Sequence, residues 1–229
     1  MVLSFFLFVH FLILKHCMLQ ILNPFEPFPD IRYTSDDGLL AVGGSLTESR
    51  LMEAYSKGIF PWYDESQPIL WWCPDPRMVL FPHKLKVSKS MRQLFKKEAF
   101  KITYNEAFET VIENCAKIKR KGQLGTWITP EMKAAYIGLN KKGIAQSVEV
   151  WKDGEIVGGL YGIYLKNKKL FCGESMFAKV SNASKYGFIS MVRKLQENGV
   201  KLIDCQVHTD HLESLGAEEI SRKEFLEYL

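Results

Sequence analysis

The sequence predicts an α+β protein whose larger part has an α/β-like texture, and three observations carry that prediction. From about Met78 onward, strand-like and helix-like stretches alternate, as they do when strands and helices pack in layers. Asp153-Gly154 lies between two apolar runs, a strong short-range hairpin signal. A helical stripe that starts after Asn182 stops at Gly199 and leads into the apolar stretch Lys201–Val207, so a crossover helix precedes the last interior strand. Before Met78 the chain is rich in Trp and Pro. The texture thus changes at about Met78, in a chain long enough for one large or two small domains.

In chain order, Asn23–Asp30 (NPFEPFPD) reads as an extended surface strap, because proline keeps its neighbours out of the helical region. Leu39–Gly44 is a short strand. Thr47, or Ser45 with Glu48, opens a helix that Gly58 closes, with Leu51, Ala54 and Tyr55 inward. Gly58–Tyr63 and Ile69–Arg77 (ILWWCPDPR) form a rigid aromatic wall, with Trp71 and Trp72 assigned to the core. Met78–Phe81 is a strand. Ser88 or Ser90 starts a helix with Met91, Leu94 and Phe95 inward and Lys89, Arg92 and Lys96 outward. Asn105 is expected to cap a helix carrying Phe108, Val111, Ile112 and Cys115. Thr129-Pro130 is an N-cap followed by proline at the first helical position. Strands are expected at Gln146–Trp151, Glu155–Tyr164 and Lys169–Gly173, and Asn182 should cap the crossover helix.

A chain of 229 residues can bury a proper core, and a net charge of +4 means that any basic surface must come from local clustering. The cysteines Cys17, Cys73, Cys115, Cys172 and Cys205 are scattered, with no C-x-x-C. That argues against a disulfide framework or zinc site and for a reducing, cytoplasmic location. Residues 1–17 form an apolar leader that lacks a basic n-region and a small-residue cleavage site, and it is short for a bilayer span of about 20 residues. Its simplest explanation is a mis-assigned start, with translation beginning at Met18.

Chemistry concentrates in Lys201–Val207 (KLIDCQV). On an alternating strand Asp204 and Gln206 share one face, and Ile203 and Cys205 the other. A carboxylate and an amide rising from an apolar strand must be hydrogen-bonded or used. The plain alternative is a satisfied polar pair. The rest of the sequence favours use.

GIFPWY with ILWWCPDPR, GTWIT at Gly125–Thr129, VGGLYG at Val157–Gly162, LFCGESMF at Leu170–Phe177 and LIDCQV through SLGA to Ala217 occur in order. Together they resemble the leucyl/phenylalanyl-tRNA–protein transferase family from about Phe28 to the C-terminus. The resemblance implies a small N-terminal domain, residues 18–77, beside a larger GCN5-related N-acyltransferase-like catalytic domain, residues 78–229. It implies transfer of Leu or Phe, and less well Met, from aminoacyl-tRNA to the α-amino group of proteins with N-terminal Arg or Lys, which marks them for N-degron proteolysis in bacteria. No cofactor and no metal is implied, since the aminoacyl ester is already activated, and the protein is expected to be a monomer without membrane attachment. Asp204 and Gln206 match the family's catalytic pair, with the Asp204 carboxylate expected to hold the amide NH2 of Gln206. Glu174 matches a residue near the aminoacyl end, with an ion pair to a nearby lysine as the plain alternative. Trp62 and Trp127 match the aromatic residues that hold the terminal adenosine.

Leu160, Phe171, Met176, Phe177, Phe188 and Ile203 match or neighbour the apolar amino-acid pocket. A pocket of that kind separates ligands one methylene apart by only ~1–3 kcal/mol, so leakage to Met is expected. Met191 stands where better-known relatives have an aromatic residue, and Thr209 where some have Asn. The tRNA backbone would meet one basic patch of Lys84, Lys86, Lys89, Arg92, Lys96 and Lys97, and a second of Lys117, Lys119, Arg120 and Lys121. The acceptor's basic side chain needs a carboxylate, which Asp204, Glu174 or an unassigned acid would supply.

Three rival readings compete. A cysteine hydrolase would use Cys205 or Cys172 with His208 or His211, but no third orienting residue is evident. A coenzyme-A-dependent N-acetyltransferase would need a Gly-rich turn at its pyrophosphate-binding helix, which Asn182–Gly187 (NASKYG) lacks. An RNA-binding module without transferase activity would bind tRNA whether or not an amino acid is attached.

Overall fold

The computed structural model describes residues 20–118 and 126–229. The leader, the proposed start at Met18 and the basic residues Lys119, Arg120 and Lys121 lie outside them. The chain divides into two compact units, the first ending at Asp75 and the second running from Pro76 to Leu229.

The first unit is built on a four-stranded sheet in the order β1-β2-β4-β3: β1 is Gln20–Leu22, β2 Leu39–Gly43, β3 Phe60–Pro61 and β4 Leu70–Trp72. Helix α1 (Glu48–Ser56) starts where expected, with the Thr47 hydroxyl accepting the Arg50 N–H, and buries Leu51, Ala54 and Tyr55. Trp71 is fully buried; its Nε1 donates to the Gly43 carbonyl at 2.9 Å and its ring meets Phe28 edge-on. The aromatic wall is thus partly strand, and the strap's Phe28 is part of the core.

The second unit is a seven-stranded sheet in the order β11-β5-β10-β9-β8-β7-β6. Its strands are β5 (Arg77–Leu80), β6 (Lys101–Tyr104), β7 (Ala145–Lys152), β8 (Glu155–Leu165), β9 (Leu170–Ala178), β10 (Leu202–Gln206) and β11 (Glu218–Ile220). Every pairing is antiparallel except β9 with β10, which α5 (Ala183–Glu197) connects as the predicted crossover. The remaining helices are α2 (Lys89–Lys96), α3 (Phe108–Lys117), α4 (Pro130–Lys141), α6 (Asp210–Ser214) and α7 (Arg222–Leu226). The chain is a mixed α/β protein.

Both faces of the sheet are covered. On one, Phe188, Ile189, Met191, Val192 and Leu195 of α5 pack with Met78, Leu80, Leu160, Phe171 and Ile203 of the strands. Tyr161 follows Leu160 and so takes the other face, where Phe108 of α3 and Tyr136 of α4 meet it edge-on at 5.7 and 5.4 Å. The glycines of VGGLYG have steric reasons. A Cβ at Gly158 would lie 2.7 Å from that of Ala183, and one at Gly162 would run into the Phe171 ring and the Cys172 carbonyl.

Two expected caps are different. Asn105 takes φ +59 and accepts the Ser147 N–H, and α3 starts only after Ala107. Asn182 precedes α5, but with φ +68 and no side-chain cap bond. Strand β9 runs five residues past Gly173, to Ala178, because LFCGESMF continues through a bulge.

Candidate active site

Strand β10 lies inside the sheet between β5 and β9, and its apolar residues Leu202 and Ile203 are buried. Asp204 is only 1% exposed, as is Arg77 at the start of β5. Burial of both charges is tolerable because they pair through a fork: Arg77 Nε donates to Asp204 Oδ1 at 2.8 Å and Nη2 to Oδ2 at 2.7 Å. The guanidinium carbon also lies 4.5 Å above the Phe225 ring.

The expectation that Asp204 and Gln206 share a face through simple alternation is corrected here. The β10–β5 register slips between them, Gln206 adopts φ +66, and its strand partner is Met78, whereas that of Asp204 is Val79. The bulge brings the two together in another way: the backbone N–H of Gln206 donates to Asp204 Oδ1 at 2.9 Å. The side-chain amide is held elsewhere. Gln206 Nε2 donates to Glu174 Oε1 at 3.0 Å, and the Tyr136 hydroxyl donates to Glu174 Oε2 at 2.8 Å. The carboxylate that holds the amide NH2 is therefore that of Glu174, not Asp204.

Glu174 can reach Gln206 because the β8–β9 ladder skips it. Tyr161 pairs with Ser175 and Gly162 with Gly173, so Glu174 stands unpaired in the bulge. One chain of contacts runs Arg77–Asp204–Gln206–Glu174–Tyr136. Sequence reasoning missed its two ends. Arg77 was visible only as a cation at the mouth of an apolar strand, and Tyr136 looked like one more member of a buried helical stripe.

The six residues assigned to the amino-acid pocket do not lie together. Leu160, Phe171, Phe188 and Ile203 are buried in the cluster under α5, with Met176 half-buried against it. Phe177 pairs with Gly159 on the other face, toward Val111 of α3. Met78 also belongs to the α5 cluster, so Gln206 meets the edge of that apolar region, while Asp204 faces away from it by register.

Trp62 is 39% exposed, and its carbonyl accepts Trp72 Nε1 at 2.7 Å. Trp127 is half-buried in an irregular stretch just before α4. Lys89, Arg92 and Lys96 are exposed on α2, and Lys86 is exposed before it. Lys84 is bonded to Glu218. Thr209 has a structural task, capping α6 by accepting the Leu212 N–H.

The thiols are poor nucleophiles. Burial first, and then the Asp204 charge, push both the Cys172 and the Cys205 thiol well above the usual range, so they stay protonated at neutral pH. Cys205 also packs in the apolar cluster under α5. Among the described residues His208, Asp210 and Glu213 bring ligand atoms within 4.8 Å of one another, all exposed. Among those same residues, no helix is long and apolar enough to cross a membrane.

The chain is similar to known proteins. The family model described as "Leucyl/phenylalanyl-tRNA protein transferase" matches residues 79–229, and that for its N-terminal domain matches residues 44–75. A leucyl/phenylalanyl-tRNA–protein transferase of Christiangramia forsetii is 62% identical over 208 residues, covering 91% of this chain and 98% of that protein. One from Flavobacterium johnsoniae is 57% identical, covering 88% and 94%, and one from Pseudomonas fluorescens is 52% identical, covering 88% and 89%. Among solved structures, a GCN5-related N-acetyltransferase-like protein from Streptococcus suis aligns at TM-score 0.39 and 12% identity, covering 76% of this chain and 64% of that one. A functionally unknown conserved protein from Staphylococcus epidermidis aligns at TM-score 0.45 and 10% identity, covering 80% and 68%.

Proposed function

The chain belongs to the leucyl/phenylalanyl-tRNA–protein transferase family, and on that premise we propose that it moves Leu or Phe, and less well Met, from aminoacyl-tRNA to the α-amino group of proteins that begin with Arg or Lys. It does so in the cytoplasm, as a monomer, and the new N-terminal residue marks the acceptor for proteolysis. The second compact unit, Pro76–Leu229, is the catalytic domain, and the first unit is the smaller one.

The observation that carries the reading is the fixed amide of Gln206. Its Nε2 is committed to Glu174, so Oε1 is the atom left to accept a hydrogen bond from an incoming amine. Asp204 is engaged by Arg77 and by the Gln206 backbone, so it serves as a positioning residue and not as a base. The neutral α-amine attacks the ester carbonyl; the N–C bond forms as the C–O bond to the ribose breaks, and the amine's proton leaves with the ribose oxygen. An amide is too weak a base to take that proton, so the gain comes mainly from orientation, which supplies up to ~7–11 kcal/mol when two substrates are held in reacting geometry. Leu160, Phe171, Met176, Phe188 and Ile203 supply the apolar surroundings for the transferred side chain. The exposed indole of Trp62 and the half-buried one of Trp127 suit stacking on a base, worth ~1–3 kcal/mol and indifferent to sequence. Lys86, Lys89, Arg92 and Lys96 add salt-sensitive attraction to phosphates.

The test is to incubate the protein with labelled leucyl-tRNA and a peptide starting with Arg, without ATP or coenzyme A. Labelled peptide is expected, and Gln206→Ala should suppress it while leaving the circular dichroism unchanged. Undiminished transfer by Gln206→Ala, or binding of charged and uncharged tRNA with no transfer by the wild type, would remove the basis for this reading.

A further inference from the structure

The acceptor's basic side chain still lacks a carboxylate in this account. Asp204 is taken up by Arg77, and Glu174 by Gln206 and Tyr136. Both candidates inside the catalytic chain are therefore already engaged. Next to Gln206, however, the second unit has an open cleft of about 570 Å³ whose lining includes Met78, His208, Glu213, Glu218 and Glu219.

Strand register fixes where this cleft lies. Met78 pairs with Gln206 across β5–β10 and with Glu219 across β5–β11, so Gln206, Met78 and Glu219 form one cross-strand row. Two strand spacings put the backbones of Gln206 and Glu219 roughly 10 Å apart. His208, two residues past Gln206, lines the same cleft.

The charges in the cleft are mostly neutralised in pairs. Glu218 is bonded to Lys84, and Glu213 Oε2 lies 3.1 Å from His208 Nε2, which leaves the exposed Lys86 and Glu219. Glu219 is exposed, and among the described residues its carboxylate makes no hydrogen bond or ion pair. An unpaired carboxylate two strands from Gln206 suits a cationic side chain on the residue that carries the amine.

We propose that Glu219 is the specificity-determining residue for the acceptor: it receives the guanidinium or ammonium group of an N-terminal Arg or Lys lying in the cleft, with the α-amine at Gln206. This deepens the function proposed above and rests on it.

The test compares wild type with Glu219→Gln and Glu219→Lys at saturating leucyl-tRNA. The acceptors are two peptides identical except for N-terminal Arg or citrulline, which replaces the guanidinium with a neutral urea. For Glu219→Gln the KM for the Arg peptide should rise about 3- to 10-fold, between the effect of an exposed ion pair and that of a charge-assisted hydrogen bond. The preference for Arg over citrulline should narrow by the same factor, and the KM for leucyl-tRNA should not move. Glu219→Lys should lose the preference altogether. An unchanged Arg-to-citrulline ratio would overturn the proposal. So would a raised KM for leucyl-tRNA, which would assign the cleft, through Lys84 and Lys86, to a tRNA phosphate. Absence of transfer by the wild type would instead refute the function itself, and that result precedes any variant.

Discussion

Removing the charge of Arg77 should damage the protein more than removing both charges of its pair. In Arg77→Met the Asp204 carboxylate stays 1% exposed without its fork partner. Breaking such a pair from one side costs about 3–5 kcal/mol, because the remaining charge keeps its desolvation penalty. At roughly 2–4 °C per kcal/mol for a domain of this size, the melting temperature of the catalytic unit should fall by about 6–20 °C. Asp204→Leu strands Arg77 in the same way and should cost a similar amount. In the double variant Arg77→Met/Asp204→Leu neither charge of the pair remains, and such replacements are often neutral or stabilising. The double variant should therefore melt within a few degrees of wild type, giving a coupling of about 5–10 kcal/mol in the cycle. It should still transfer leucine poorly, by about 10²-fold, because the Gln206 backbone N–H has lost its acceptor and the amide its aim. Thermal unfolding followed by tryptophan fluorescence, together with the peptide-labelling assay, reads both quantities. Additive losses in the double variant, or single variants that melt like wild type, would refute the argument.

Glu174→Gln should leave the melting temperature nearly unchanged, but lower kcat about tenfold or more by loosening the Gln206 amide; full activity would show that this bond has no part in transfer. Gly162→Ala should destabilise by about 1–3 kcal/mol, since the added methyl meets the Phe171 ring and the Cys172 carbonyl; a melting temperature equal to that of wild type would contradict the close approach. Cys205→Ala should retain most activity, and iodoacetamide should label neither Cys205 nor Cys172 in the folded protein, because burial keeps both thiols protonated; rapid native labelling with loss of activity would restore the hydrolase reading. Burial, and then Lys185, lower the pKa of His211, so the unfolded chain binds more protons there than the folded one. Its contribution is full above the unfolded value and lost as pH falls through the folded one, so His211→Gln should flatten the fall in melting temperature below about pH 6.5, and an unaltered acid limb would count against it.

Much of the fold was legible in local signals. The Thr47, Ser88 and Thr129 caps, the Asp153-Gly154 hairpin and the crossover into β10 depend on side chains within a few residues of one another. The short strands β6 and β11 were not legible, because strands of three or four residues are made by their sheet neighbours and not by their own pattern. Asn105 and Asn182 show the converse: Asn182 sits at the cap position of α5 and Asn105 two residues before that of α3, yet each has a left-handed backbone and neither makes a capping bond.

The sequence by itself singled out Asp204 and Gln206, as polar groups in a stretch that is otherwise apolar, and Glu174 through the resemblance of CGESMF. Only the tertiary structure decided how they bond to one another. Arg77 lies 127 positions from Asp204 and Glu174 lies 32 from Gln206. Two bulges, one at Cys205 and one at Glu174, broke the alternation from which a face would be read. Hydrogen bonds between distant strands depend on register, and register is set by the packing of the whole sheet, which no local stretch of sequence contains.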